Sequence, residues 1–349
     1  MDPWLNWLVG FGIWIGLIIV FAAITLLIVG VNISGKQAIY DDLFNYSRKS
    51  DVLPEEGYFL DTHSHTLASD GVMTPEQLIK WEIANGYDAF VLTDHNTGKN
   101  NKPILELQGK YPEILIIPGY EWTTQRIHLN FLGIEEWPDK VPNNPSNDEI
   151  KDAIRTAKDM GAIVQVDHIS WTVDQPGHRT GQYIHPTRDQ LLEWGVHGYE
   201  INNEMRWYDP KTLHWLDKKR ENDELDRPVY IATGTDIHNP LKSWATGWTQ
   251  LLLTNQERNH VTWKTVKNAL LEGRTKIWVD HDYVEPPELK LMRGGKIQTL
   301  RERIFPPLFA LKYGIEKIPG TVGGIFLYVF WFIVAYFPLR LIFELIISL

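Results

Sequence analysis

From Gly57 onward the chain alternates short β-type runs with helical stretches, and most of the β runs end in a histidine or a carboxylate. The runs at 58–61, 89–93, 114–118, 128–133, 162–166, 198–201, 229–233 and 249–253 read as strands. Those at 75–85, 147–160, 187–194, 210–222 and 263–272 read as helices. Thr74-Pro75-Glu76 is a strong helix start, with a capping hydroxyl, a proline in the first turn and an acid behind it. Strands alternating with helices predict an α/β fold around a mostly parallel sheet, open or closed into a barrel.

The polar residues at the strand ends carry the chemistry. His63 and His65 form a His-x-His pair at the end of the first strand, where a period of two puts both imidazoles on one face. Asp70 follows in Ser-Asp-Gly; Asp94-His95 ends the second strand and Glu121 follows the third. His168 ends the fifth, and Asp236-Ile-His238 ends the strand at 229–233. His128 departs from this placement, since it opens a strand. Each group alone has an ordinary structural explanation in a core hydrogen bond. Together they share one economical cause, because so many buried ionisable groups would cost several kcal/mol each without a metal.

The ordered set His-x-His, Ser-Asp-Gly, Thr-Asp-His-Asn, Gly-x-Glu, His, His and Gly-Thr-Asp-x-His resembles the PHP family, named for polymerase and histidinol phosphatase domains. The resemblance covers roughly 57–280 and includes Ala-Leu-Leu-Glu-Gly-Arg-Thr near its end. It implies a distorted (β/α)7 barrel holding two or three divalent ions. Residue by residue, it implies that His63, His65 and Asp236 hold one ion and share a bridging Glu121 with a second. The second ion would also take His128 and His168, and a third would take Asp70, His95 and His238. His168 is followed by Ile169 where the family often has proline, and the segment around His128 is variable. Asp94 is expected to orient a ligand histidine from behind.

With only nitrogen and oxygen ligands, the expected ions are zinc, manganese or iron rather than calcium. Such ions generate a hydroxide near neutral pH and clamp phosphate oxygens. The expected activity is phosphoester hydrolysis, monoesters ahead of diesters, with Asp236, His238 and Glu121 nearest the reaction. Lys99, Arg126, Arg179 and Arg206, with His178 and His185, fall in loops beyond the strands and are candidate phosphate contacts; Trp171, Trp207 and Trp244 are candidates for an aromatic rim. Two other readings compete. An amidohydrolase-type barrel also opens with His-x-His, but it needs a bridging lysine, and no lysine ends a strand here. A non-catalytic protein keeping a structural metal is the other.

The ends of the chain are different in kind. Residues 4–31 are almost wholly apolar, and no charge occurs from Pro3 to Gly35. About 20 apolar residues span a bilayer, so residues 1–35 are expected to form a membrane anchor, with a stalk at 36–56. A barrel domain is expected at 57–285, a basic linker at 286–320, and a second membrane segment at 321–349, spanning or interfacial around Pro338 and Arg340. Lys36, Arg48, Lys49, Arg303, Lys312 and Lys317 flank the domain side, against Arg340 outside, which predicts a cytoplasmic catalytic domain. The net charge of −10 speaks against a nucleic-acid partner. The expected partners are the bilayer and a phosphorylated small molecule or lipid-linked substrate. Cysteine is absent, which rules out disulfides and thiolate ligands.

Overall fold

The computed structural model describes residues 52–170, 185–204, 207–240 and 243–280. The expected membrane segments, the basic linker and most of the stalk lie outside these residues. Among the described residues no helix is long and apolar enough to cross a membrane. The last residues of the expected stalk belong to the domain, because Leu53 is buried against its core.

Ten strands form one mixed, curled sheet. They are β1 (Phe59–Ser64), β2 (Ala89–Leu92), β3 (Leu115–Thr123), β4 (His128–Leu132), β5 (Ile163–Val166), β6 (Gly198–Asn203), β7 (Trp207–Tyr208), β8 (Tyr230–Gly234), β9 (Gly247–Leu251) and β10 (Thr275–Val279). Their order is β10-β9-β1-β2-β3-β4-β5-β6-β7, with β8 beside β6. The curl brings β8 back to β1: Asp236 N–H donates to His63 O at 2.8 Å and His65 N–H to Ile237 O at 3.2 Å.

The expectation of a mostly parallel sheet needs correction at β4, which runs antiparallel to both β3 and β5. β9 and β10 are antiparallel additions beyond β1. The reason lies in β3, which runs on past Pro118 and Gly119 to Thr123 instead of ending at 118. Only Thr124–Ile127 then separates it from β4, closed by Thr124 N–H to Ile127 O at 3.2 Å. So short a link makes a hairpin; a parallel crossover needs a dozen residues or more.

Helices cover the sheet: α1 (Pro75–Ala84), α2 (Asn101–Leu105), α3 (Asn147–Asp159), α4 (Arg188–Trp194), α5 (Pro210–Glu221), α6 (Asn255–Arg258) and α7 (Trp263–Leu271). Reciprocal capping boxes start α1 at Thr74–Gln77, α3 at Ser146–Glu149 and α4 at Thr187–Gln190. α1 packs Leu78, Ile79 and Trp81 against Phe90, Leu92 and Ile116 of β2 and β3. α3 packs Ile150 and Ile154 against Leu129, Phe131 and Val164. With apolar layers outside, the strand ends are left to polar side chains.

Candidate metal centre

The reversal of β4 explains the place of His128. Its N-terminus lies at the same end of the sheet as the carboxyl ends of β1, β2, β5 and β8, so His128 joins residues that follow those strands. All nine expected ligands converge there. His63 and His65 are fully buried, as is Glu121. His65 Nε2 lies 2.8 Å from Asp236 Oδ1, and His63 Nε2 lies 3.3 Å from it. Glu121 Oε2 is 2.6 Å from His95 Nδ1 and 3.4 Å from both His63 Nε2 and His65 Nε2. Glu121 Oε1 is 2.7 Å from His128 Nδ1 and 3.7 Å from His168 Nε2. One carboxylate thus faces five imidazoles, as a bridging ligand would. Asp70 Oδ1 lies 2.9 Å from His238 Nε2 and 3.4 Å from His95 Nε2.

The donor atoms gather in overlapping groups. His65 gathers with Asp70, His95 and His238 as well as with His63 and Glu121. His168 gathers with His63 and Asp236, and His128 with Glu121 and His95. A metal fits this donor set. The buried atoms His63 Nε2, His65 Nε2, Asp236 Oδ1 and both Glu121 oxygens have no hydrogen-bond partner, although they crowd together. Buried polar atoms crowded together without partners are costly unless a cation sits among them.

The electrostatics agree. Burial alone would push the Glu121 carboxyl up, but the charges of His95, His63 and His128 outweigh it and hold it well below the usual range. Asp236 is likewise held well down, chiefly by His63 and His238 against its burial. Burial would lower His63 and His238; the surrounding carboxylates, Asp236 foremost, instead raise His63 well above its usual value and His238 to about 10. His65 is pushed down to about 3 by burial and by its histidine neighbours, so it is a neutral donor. Backbone strain collects here too. His168, Asp236 and Asn96 have φ of 26°, 48° and 51°, a region costing non-glycine residues about 1–3 kcal/mol each.

The supporting residues are partly unexpected. Asp94 does not orient a histidine: it accepts from Thr66 N–H at 2.7 Å and Ser69 Oγ at 2.6 Å, bracing the loop that delivers Asp70. The His95 ring is set by Thr123 Oγ1 at 2.6 Å from Nδ1. Sequence reasoning missed Glu200 and Asp167, both buried beside His63. A lone acid inside the apolar strand Gly198–Ile201 was the available signal for Glu200.

Among the candidate phosphate contacts, Arg126 has a structural engagement. Its guanidinium donates to Pro145 O and Asn147 Oδ1, each at 2.7 Å, tying the β3–β4 hairpin to the start of α3. Lys99 is exposed on a loop pinned at both ends. Asn96 donates to Thr123 O at 2.8 Å, and Asn100 to Thr66 Oγ1 at 2.7 Å. His185 Nδ1 lies 2.6 Å from Pro186 O, and burial, with the nearby Arg188, His168 and His128, lowers it to about 4. Trp207 and Trp244 are half-buried. Trp171, His178, Arg179 and Arg206 lie outside the described residues.

The architecture has a solved counterpart. Over 68% of each chain it matches, at a TM-score of 0.50 and 21% identity, a two-domain protein from Bacteroides vulgatus containing a predicted PHP-like metal-dependent phosphoesterase. That likeness is one of fold. By sequence, the 5'-3' exoribonuclease Rnm of Escherichia coli is 36% identical over 80 residues, 22% of this chain and 27% of that one. An uncharacterized protein of Methanocaldococcus jannaschii is 26% identical over 137 residues, 37% of this chain and 54% of that one. The chain therefore spans between about a quarter and about half of the length of the curated relatives it matches. No protein-family model matches it.

Proposed function

We propose that this chain is a metal-dependent phosphoester hydrolase of the PHP type. The observation that carries the reading is the set of buried side-chain atoms of His63, His65, Glu121 and Asp236 without a hydrogen-bond partner, ringed by five further candidate ligands. His63, His65, Glu121 and Asp236 would hold the innermost ion, with His128, His168 and His95 around Glu121, and Asp70 and His238 at the outer edge. Divalent ions bound there supply a Lewis acid for phosphate oxygens and a low pKa for water. The protein supplies direction. His63, His65 and Glu121 are sealed, whereas the side chains of Asp70, His238 and His95 are 45%, 27% and 23% exposed. Substrate therefore approaches from the Asp70–His95–His238 side, where Lys99 rides the pinned loop and can neutralise a phosphate oxygen.

An amidohydrolase-type centre is disfavoured, because no lysine is buried among the described residues. The likeness to an exoribonuclease over 80 residues favours testing a phosphodiester beside the monoesters. The deciding experiment is elemental analysis of full-length protein purified without chelator. It is followed by hydrolysis of p-nitrophenyl phosphate, bis-p-nitrophenyl phosphate and a 5′-phosphorylated RNA with added manganese or zinc. Two to three metal equivalents and turnover of one of these esters are expected. Less than one equivalent, with no activity regained on adding metal, would refute the reading.

A further inference from the structure

Behind His63, on the side away from the ligand cluster, lies Glu200 of β6. Its side chain is sealed from solvent together with that of His63. Glu200 Oε1 lies 3.2 Å from His63 Nδ1. Its other oxygen accepts from the His168 backbone N–H at 2.8 Å and from Asn203 Nδ2 at 3.0 Å. Gly234 makes this possible, since a Cβ there would run into Glu200 Oε1 and come within 2.5 Å of His63 Cβ.

We infer that Glu200 is a positioning residue of the metal centre: it fixes the proton of His63 on Nδ1, so that Nε2 keeps its ligating lone pair, and it holds the strained backbone of His168 in place. The inference rests on the metal-centre reading above. His63 Nε2 faces Asp236 Oδ1 at 3.3 Å and Glu121 Oε2 at 3.4 Å, so a neutral ring that ligates there must carry its proton on Nδ1. Glu200 is the acceptor for that proton. Its remaining oxygen meets two more donors, so every contact requires an acceptor. A glutamine has the same shape but must aim an NH2 somewhere. Towards His63 it would donate to Nδ1 and drive the ring proton onto Nε2, removing the ligand. Towards His168 it would set donor against donor. Outer hydrogen bonds of this kind typically govern metal affinity about 10–100-fold.

The test is calorimetric titration of metal-free, full-length protein with Zn2+, comparing wild type, Glu200→Gln and Glu200→Asp. Glu200→Gln is expected to weaken zinc binding about 10–100-fold, and Glu200→Asp, which keeps an acceptor, less than about tenfold. Space-filling alone would give the reverse order, with the isosteric glutamine harmless; that order, or unchanged binding by Glu200→Gln, would overturn the inference. Should Glu200→Gln not fold, 15N-resolved NMR of the zinc-loaded wild type decides. A proton on His63 Nδ1 and a metal-bound Nε2 support the assignment, and the opposite arrangement defeats it. Failure of the wild type to bind zinc would instead remove the metal-centre reading, and this inference with it.

Discussion

Asp236 touches more of the centre than its one side chain would indicate. It faces His63, His65 and His238 through the same oxygen, and its backbone N–H holds β1. Asp236→Asn should keep the shape and lose the charge. Removing an outer partner of a ligand costs about 10–100-fold, so loss of a direct ligand should cost more than about 100-fold in kcat, with less bound metal. A variant keeping wild-type turnover would contradict the assignment. The protonation pattern gives a second outcome. In metal-free protein the raised His238 contributes stability that is fully present below its ordinary 6.5 and lost as pH rises through about 10. His63 acts in the same sense, while the depressed Glu121 and Asp236 contribute above their ordinary values and lose it on acidification. The metal-free Tm should therefore fall between pH 6.5 and about 10, and saturating zinc should flatten that fall by replacing the protons. Scanning calorimetry across that window checks both; a flat metal-free profile would contradict the charge pattern.

The elements show which parts of the site were legible in the sequence. Seven of the nine candidate ligands sit after strands that the β-type runs marked, because a buried strand is apolar until it reaches its polar end; Asp70 is set by a loop instead. The eighth, His128, was visible as a residue but not explained, since its position depends on strand direction. That direction turned on Pro118-Gly119, which reads as a strand stop. In the fold Asn101 replaces the missing ladder bonds, donating to Gly119 O at 2.8 Å and accepting from Gly119 N–H at 3.4 Å. A tertiary partner of this kind leaves no periodicity to read. Glu200 left one signal, a lone acid in an apolar strand, but its role did not follow from it, because it is set by His63 of β1 and by the His168 backbone after β5. A Cβ on Gly119 would lie 2.8 Å from Leu92 O and 2.6 Å from Val91 Cγ1. Gly119→Ala should therefore cost about 1–3 kcal/mol in urea unfolding, since backbone has to move. Arg126 separates two accounts of itself. As a tie between the hairpin and α3, its replacement by alanine should cost about 1 kcal/mol and leave KM within about twofold. Lys99→Ala should raise KM several-fold at unchanged stability. A large KM effect at Arg126 with none at Lys99 would reverse their roles.

At the scale of the whole molecule, the open side of the centre and the apolar ends of the chain bear on the same question, which is where substrate comes from. Residues 4–31 are long and apolar enough for a bilayer, residues 322–337 form a second, shorter apolar run, and the basic residues Lys36, Arg48, Lys49, Arg303, Lys312 and Lys317 lie between them. We propose that both segments are membrane-embedded and that the catalytic domain faces the cytoplasm, because basic flanks are retained on that side. The absence of native cysteine makes this directly measurable. Asp148 is exposed in the first turn of α3, where a substitution disturbs no core contact. Asp148→Cys protein should fractionate with membranes, resist an impermeant maleimide in intact cells and react once the cells are lysed. Labelling of intact cells would reverse the orientation, and recovery in the soluble fraction would remove the anchor. On that proposal, substrates held at the inner leaflet, phosphorylated lipids or lipid-linked sugars, would reach the domain at high effective concentration. Turnover of such a substrate in vesicles should then exceed that of its soluble headgroup, and equal rates for the two would leave the anchor a localising device alone.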